Sequence, residues 1–261
     1  MSPRTPWALR VPATLAVLLL LLPLSGLLLR APWRDLPAIL AGDQVRDALW
    51  LSLVCATQAM LLSVVLGVPL AWVLARSEAR GVRLLRALVT LPLVLPPVVG
   101  GIALLLAFGR NGVVGRYLEA WFGLSIPYTT TAVVLSGTFV AMPFLVVAVE
   151  GAFRSADRGY DEAAATLGAD RLTTLRRVTL PLLRPALVAG AVLCWARALG
   201  EFGATITFAG SIQGTTRTMP LEIYQEFQSD PDTAIVLSLV LLTVSVAVLF
   251  ALRGRWVGGS A

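Results

Sequence analysis

The stretch Asp161 Glu162 Ala163 Ala164 Ala165 Thr166 Leu167 Gly168, followed after a basic run by Leu180 Pro181, lies between two long apolar segments and decides how the rest of the chain is read. Asp157, Asp161 and Glu162 crowd the start of a short helix, where carboxylates favour the positive end of the dipole. Gly168 is placed to supply the left-handed turn that ends it. The run of alanines leaves this helix thin, and a thin helix between membrane spans can press into a groove on a partner. The same residues also suit an ordinary solvated loop with helix punctuation. The flanking segments choose between the two.

Those segments are membrane spans. Of 261 residues, 57% are hydrophobic and 14% charged, against about a quarter charged in soluble domains. A helical span needs about 20 mostly apolar residues. Six stretches qualify: Ala13 to Leu29, Ala48 to Ala75, Ala87 to Phe108, Thr130 to Val149, Ala186 to Ala209 and Thr233 to Leu252. Runs such as Leu18 to Leu22 and Val236 to Leu242 do not alternate, which argues against barrel strands. The expected fold class is therefore an all-α integral membrane protein with six transmembrane helices and little chain left for a soluble domain.

Arginine sets the orientation. All 21 Lys+Arg residues are arginine. Arg4, Arg10, Arg76, Arg80, Arg83, Arg86, Arg154, Arg158, Arg171, Arg176, Arg177, Arg184, Arg253 and Arg255 share one side; Arg30, Arg34, Arg46, Arg110, Arg116 and Arg217 take the other. Because loops on the cytoplasmic side are the more basic, both termini and the Glu162 loop are expected in the cytoplasm. The net charge of +6 then records topology, and no nucleic-acid partner is expected. Arg4 and Arg10 ahead of an apolar run also resemble a signal peptide, but no Ala-x-Ala-like site follows closely, so an uncleaved helix is expected. Cys55 and Cys194 fall inside spans and suit apolar packing. Without His or Lys the chain has no His-based triad, His metal site, lysine Schiff base or Gly-Lys phosphate loop, so no catalytic residue, metal or cofactor is expected.

Two segments point to a passage. Leu91 to Gly101 contains Pro92, Pro96, Pro97, Gly100 and Gly101, so the third span cannot be a regular helix. Pro96, Pro97 and Gly100 are candidates for a gate, although packing distortion alone explains Pro and Gly in membrane helices. In the fifth span Arg197 and Glu201 stand four residues apart, able to pair on one face. Charges at that depth should face the bundle interior or a water-filled cavity, where they either line the path or fix helix packing.

Glu162 Ala163 Ala164, then Gly168, then Leu180 Pro181 resemble the EAA loop of ABC importer permeases. The resemblance implies a type I ABC importer permease fold, with Asp161, Glu162, Ala163, Ala164 and Gly168 forming a coupling helix on a separate ATP-hydrolysing subunit. Ala196 to Thr205, reading Ala-Arg-Ala-Leu-Gly-Glu-Phe-Gly-Ala-Thr, is similar to the fifth-span signature of oxyanion permeases. Thr216 to Tyr224, Leu93 to Pro97 and Phe108 to Gly112 look like the molybdate branch, with departures at Met219, Glu222, Ser211 and Gln213. By this resemblance residues 1–45 form an N-terminal helix and outer loop, 46–252 the permease domain and 253–261 a cytoplasmic tail.

The partners so implied are a second copy of the chain, cytoplasmic ABC ATPase subunits, an extracytoplasmic molybdate-binding protein and membrane lipid, all at the cytoplasmic (inner) membrane. Arg110, Arg116 and Arg217 would help dock the binding protein. Ser136, Thr138, Thr205 and Thr207 would offer hydroxyls along the path, or bond their own backbone. A sulfate, thiosulfate or tungstate permease is the nearest alternative reading. A passive channel or a membrane enzyme is the distant one.

Overall fold

The computed structural model describes residues 7–77, 79–157 and 159–257. Side chains at 249 and from 251 on are not described, and of the arginines used for orientation Arg4 and Arg158 lie outside the described residues. Among the described residues the regular structure is entirely helical. In chain order it comprises α1 (Trp7–Arg30), α2 (Leu36–Leu40), α3 (Asp43–Arg76), α4 (Val82–Val94), α5 (Pro97–Phe108), α6 (Gly115–Phe122) and α7 (Thr130–Ser155). Then follow α8 (Gly159–Thr166), α9 (Arg171–Thr174), a π-helical turn (Leu175–Thr179), α10 (Leu180–Leu182), α11 (Arg184–Leu199), α12 (Gly203–Phe208), α13 (Met219–Ser229) and α14 (Pro231–Val257).

The centre of the fold is α7, which packs against α3 and α11. Helix α3 buries a row of small residues, Ala48, Ser52, Cys55, Ala56, Ala59, Ser63, Gly67 and Ala71, most of them three or four apart; Ala59 and Gly67 meet α7, while Ala48 and Ser52 meet α13. Lipid is as apolar as the side chains, so such helices associate through close van der Waals packing, which small residues permit. At Gly137 of α7 an added Cβ would lie 3.2 Å from the Ala59 methyl, so even alanine there would force the helices apart. Below this contact Ala71, Leu74, Leu145, Val146, Val149, Phe153 and Cys194 form the largest core cluster. By contrast, α1 buries none of its residues and touches chiefly α14. A helix apolar on every side, with a mean hydropathy of 2.3, suits a lipid environment.

Among the described residues four helices are long and apolar enough to cross a membrane, or six if each of two bent pairs counts as one span. The third expected span is one of these pairs: α4 and α5 meet at a bend of 118° rather than forming one kinked helix. The cause is local. A residue before proline is pushed out of the helical region, and both Leu95 and Pro96 precede a proline, with ψ of 134° and 131°. The chain therefore turns twice in succession. The expected fifth span, 186–209, is also interrupted. The stretch Arg171–Leu182 meets α11 at 74°, and the helix opens again at Gly200–Phe202 before α12. Helix α14 continues through 253–257, so those residues of the expected tail prolong the last helix, while 258–261 lie outside the described residues.

Candidate functional site

The thin helix read from the sequence is α8. Its start is organised by Asp157, whose Oδ1 accepts the Gly159 N–H at 2.9 Å. Its end is a Schellman turn: the Gly168 N–H donates to the Ala165 carbonyl and the Ala169 N–H to that of Ala164, both at 3.0 Å. Gly168 has φ +82° with open space where a Cβ would stand, so the backbone conformation alone requires glycine. The helix has two faces. Ala164 packs inward, while Tyr160, Glu162, Ala163, Ala165 and Leu167 are exposed, Leu167 by 88%.

Asp161 turns inward. Its Oδ2 lies 2.6 Å from Arg76 Nη2 at the end of α3, and its Oδ1 accepts from the Thr179 hydroxyl at 3.1 Å. One carboxylate thus ties α8 to α3 and to the π-helical turn. Beyond that turn, Pro181 has no N–H to give, and its ring crowds the turn before it, which accounts for the widened backbone at Leu175–Thr179. Between α8 and α3 opens a cleft of about 460 Å³ lined by Trp72, Arg76, Asp161, Glu162, Leu175 and Thr179. Next to it Asp170 caps α9, accepting the Thr173 N–H at 2.8 Å. Hydrogen bonds from Thr173 hold its carboxyl below the usual range.

A second charged cluster stands beside the first. Glu150, 7% exposed, receives Arg86 Nε at 2.8 Å and Arg154 Nε at 3.0 Å on the same oxygen. Both guanidinium groups also reach the Leu74 carbonyl, at 3.1 and 3.5 Å. Arginines at that position satisfy the C-terminal end of α3 and complement its dipole. Sequence reasoning missed Arg76, Arg86, Glu150, Arg154 and Thr179 as a group. Each looks like a span boundary, and no local pattern joins positions 64 or 85 residues apart.

Of the gate candidates, Pro97 sits where α5 crosses α12. Pro97 packs on Gly203, whose added Cβ would lie 2.8 Å from the proline Cβ. An added Cβ on Gly101 would lie 2.7 Å from the Ala204 carbonyl and against the Thr207 hydroxyl. An added Cβ on Gly100 would lie 3.0 Å from the Phe139 ring of α7, while Pro96 forms the turn. Gly101, read from the sequence only as a source of irregularity, and Gly203 were not among the gate candidates, yet they set the closest approach of α5 to α12. The hydroxyls serve the backbone: Ser136 donates to Ala132 at 2.9 Å, Thr138 to Val134 at 2.7 Å and Thr207 to Gly203 at 2.9 Å, while Thr205 is buried.

Arg197 and Glu201 do pair, Nη1 to Oε2 at 2.8 Å. Glu201 also accepts the Ala204 N–H at 2.8 Å on its other oxygen, so it caps α12 across the helix break. Behind it Ser52, Cys55, Gly137, Thr205 and Thr218 line a void of about 10 Å³, and the buried Thr218 hydroxyl has no partner among the described residues. Of the proposed docking arginines, Arg110 lies 3.6 Å from Glu119, and the Arg116 guanidinium sits 4.7 Å above the Tyr117 ring. Arg217 turns inward instead, 3.6 Å from buried Glu222 and 3.1 Å from the Ser211 hydroxyl. Burial pushes the Glu222 carboxyl above its ordinary range, with Arg217 opposing.

Residues 34–258 match the family of binding-protein-dependent transport system inner membrane components. The chain belongs to this family. It is a multi-pass permease of the ABC importers. The molybdenum transport system permease protein of Mycobacterium tuberculosis is 53% identical over 245 residues, covering 94% of this chain and 92% of that one. The corresponding Escherichia coli K12 protein is 39% identical over 82% of this chain and 93% of its own. The sulfate transport system permease protein of Salmonella typhimurium is 38% identical over 90% and 86%. Among solved structures, a bacterial ABC transporter importing the acidic polysaccharide alginate superposes with a TM-score of 0.77 at 18% identity, covering 98% of this chain and 96% of the other. An inward-facing methionine ABC transporter gives 0.64 at 19% identity over 81% and 94%. These two likenesses support the type I importer permease fold.

Proposed function

We propose that this chain is the permease subunit of an ATP-driven importer that moves molybdate across the cytoplasmic membrane, working as a pair of copies around one path. The observation that carries the coupling half of this reading is α8: an exposed face between Tyr160 and Leu167 set on an inward anchor, Asp161. The molybdate half rests on the 53% identical relative. The chain has no lysine and no phosphate loop, so ATP hydrolysis belongs to partner subunits that receive α8, and an extracytoplasmic binding protein delivers the anion. Residues 46–252 form the permease domain, with 1–45 and 253–261 flanking it and both termini cytoplasmic.

In this mechanism, ATP binding closes the partner subunits and draws the two α8 helices together. Asp161 passes that movement to α3 through Arg76, and to the base of α11 through Thr179. The contact of α5 with α12, around Pro96, Pro97, Gly100 and Thr207, then opens or seals the path. Ser136, Thr138 and Thr205 support its wall, and Arg197 and Glu201 belong to it. Arg110 and Arg116, exposed on the outer loops, help seat the binding protein, while Arg217 shapes that surface through Glu222. A dianion pays a heavy desolvation penalty in hydrocarbon, so the path needs polar groups that bind weakly enough to release it.

Uptake of labelled molybdate into proteoliposomes carrying this chain with its ATPase and binding protein, with ATP inside, tests the proposal. ATP-dependent uptake that excess sulfate barely inhibits is the expected result, leaving tungstate to be separated by competition. Strong inhibition by sulfate would favour the second reading, a sulfate or thiosulfate permease, for which the 38% identical Salmonella protein speaks.

A further inference from the structure

Arg197 lies thirteen residues along α11 from Arg184, about 20 Å at the rise of an α-helix, within a hydrocarbon core of about 30 Å. Its side chain is 29% exposed, whereas that of Glu201 is 2% exposed. The guanidinium borders the free face of α11, beside Leu193, 45% exposed, and exposed Gly200. A guanidinium at this depth does not face lipid; its open side belongs to a water-filled passage or to the partner copy bordering one. Of its five N–H groups, Glu201 engages one edge, and among the described residues the guanidinium has no other partner.

The pair also lacks the usual structural use of buried charge. Both residues come from one stretch of chain, the end of α11 and the break that follows it, so their bond joins no elements distant in sequence. The structural work at the break falls to the other Glu201 oxygen, which caps α12 whether or not Arg197 is present. What the pair does produce is a guanidinium held in place, its charge largely offset, with donors left open toward the passage. That combination suits a dianion in transit. A lone arginine would hold the anion, and no arginine would leave it without a charged donor.

We infer that Arg197 is a transient oxyanion contact on the translocation path, and that Glu201 sets its strength by occupying one edge of the guanidinium. The inference rests on the importer reading and adds to it which group the anion touches and why it leaves.

The decisive comparison is between Arg197→Gln, the double variant R197Q/E201Q, and Arg197→Lys, each reconstituted with ATPase and loaded binding protein in proteoliposomes containing ATP. The double variant is neutral, its two amides can still bond at the same spacing, and the amide oxygen that replaces the Glu201 carboxylate would still accept the Ala204 N–H. Expected is a loss of molybdate uptake of at least ~10-fold in both R197Q and the double variant. ATP hydrolysis stimulated by the loaded binding protein should stay within about 2-fold of the unaltered assembly, and Arg197→Lys should fall between, keeping the charge without the planar fork. Uptake by the double variant within about 2-fold of the unaltered assembly overturns the inference, because the pair would then only pack. So does a parallel fall of uptake and stimulated hydrolysis, which marks a structural defect. Absence of ATP-driven uptake by the unaltered assembly overturns the importer reading itself, before any variant is compared.

Discussion

Two ion pairs at the α8 end of the molecule and two farther along the chain are built differently, although Arg154 adds a local bond to Glu150 in the first group. Arg76 with Asp161 and Arg86 with Glu150 join residues 85 and 64 positions apart, and each links helices that nothing local would hold together. Arg197 with Glu201, and Arg217 with Glu222, are four and five positions apart on nearly continuous backbone. The first kind ties separate elements together. The second kind positions a charge at one place. The proposed function uses both: a rigid end that would follow an ATPase, and charged groups that would act on the anion or its carrier without cross-linking the moving helices.

The largest effect that would sharpen this contrast is expected at Glu150. Glu150→Ala removes the acceptor shared by two arginines and leaves both against the end of α3 with one carbonyl between them. Breaking a fully buried pair costs more, but Arg86 and Arg154 are 32% and 51% exposed, so a loss of about 2 kcal/mol is expected. A lowered melting temperature of the solubilised permease checks it; an unchanged one would mean the cluster is a surface pair of little worth. Next is Arg76. Arg76→Asp sets two carboxylates together and should cut uptake at least ~10-fold while ATP hydrolysis continues. Adding Asp161→Arg reverses the pair and should restore most of the uptake. Failure of the reversed pair, with assembly intact, would show that the contact does not carry coupling.

Much of this plan is legible in the sequence. Hydropathy places the spans, and the spacing from Glu162 to Gly168 gives a short helix with a left-handed end. The four-residue separation of Arg197 and Glu201 makes their pairing readable, but α11 ends at Leu199, so Glu201 reaches Arg197 from the break rather than from the same helix face. The long-range pairs are not readable in the same way. Asp161 reads as a dipole acid at a helix start, and only the fold turns it toward Arg76. The double bend at Leu95 and Pro96 is implied by proline stereochemistry, yet its angle depends on what α5 meets, which is Gly203 on a helix a hundred residues later. Gly101 and Gly203 are ordinary membrane glycines until the α12 backbone is set beside α5.

A smaller effect should come from Gly168. At φ +82° with nothing near the missing Cβ, Gly168→Ala suffers only the left-handed backbone penalty, about 1 kcal/mol. Uptake should fall a few-fold, and Gly168→Val more. Insertion in the membrane should be unaffected in both. Equal uptake and unchanged ATPase assembly with valine at this position would remove α8 from the coupling path, leaving the Arg76 to Asp161 pair a packing contact.

The smallest effect, and the one that separates the two kinds of carboxylate by sign, is pH dependence. Asp170, next to α8, is held below its ordinary value of 3.8 by hydrogen bonds from Thr173. Its contribution to stability is therefore present above that value and lost as pH falls through the lower folded one. Glu222 behaves oppositely. Burial raises its carboxyl above the ordinary 4.5, opposed by Arg217 and assisted by Glu226. Its stabilising contribution is present below 4.5 and is lost as pH rises through the raised folded value. Hence Asp170→Asn should lower stability at neutral pH and match the unaltered protein in acid, whereas Glu222→Gln should raise stability at neutral pH and converge with it near pH 4.5. Thermal unfolding of the three proteins between acid and neutral pH checks both signs at once. If Glu222→Gln were destabilising at neutral pH, attraction to Arg217 would outweigh the desolvation of Glu222, and this local pair would be holding the outer loop together much as the long-range pairs hold the other end.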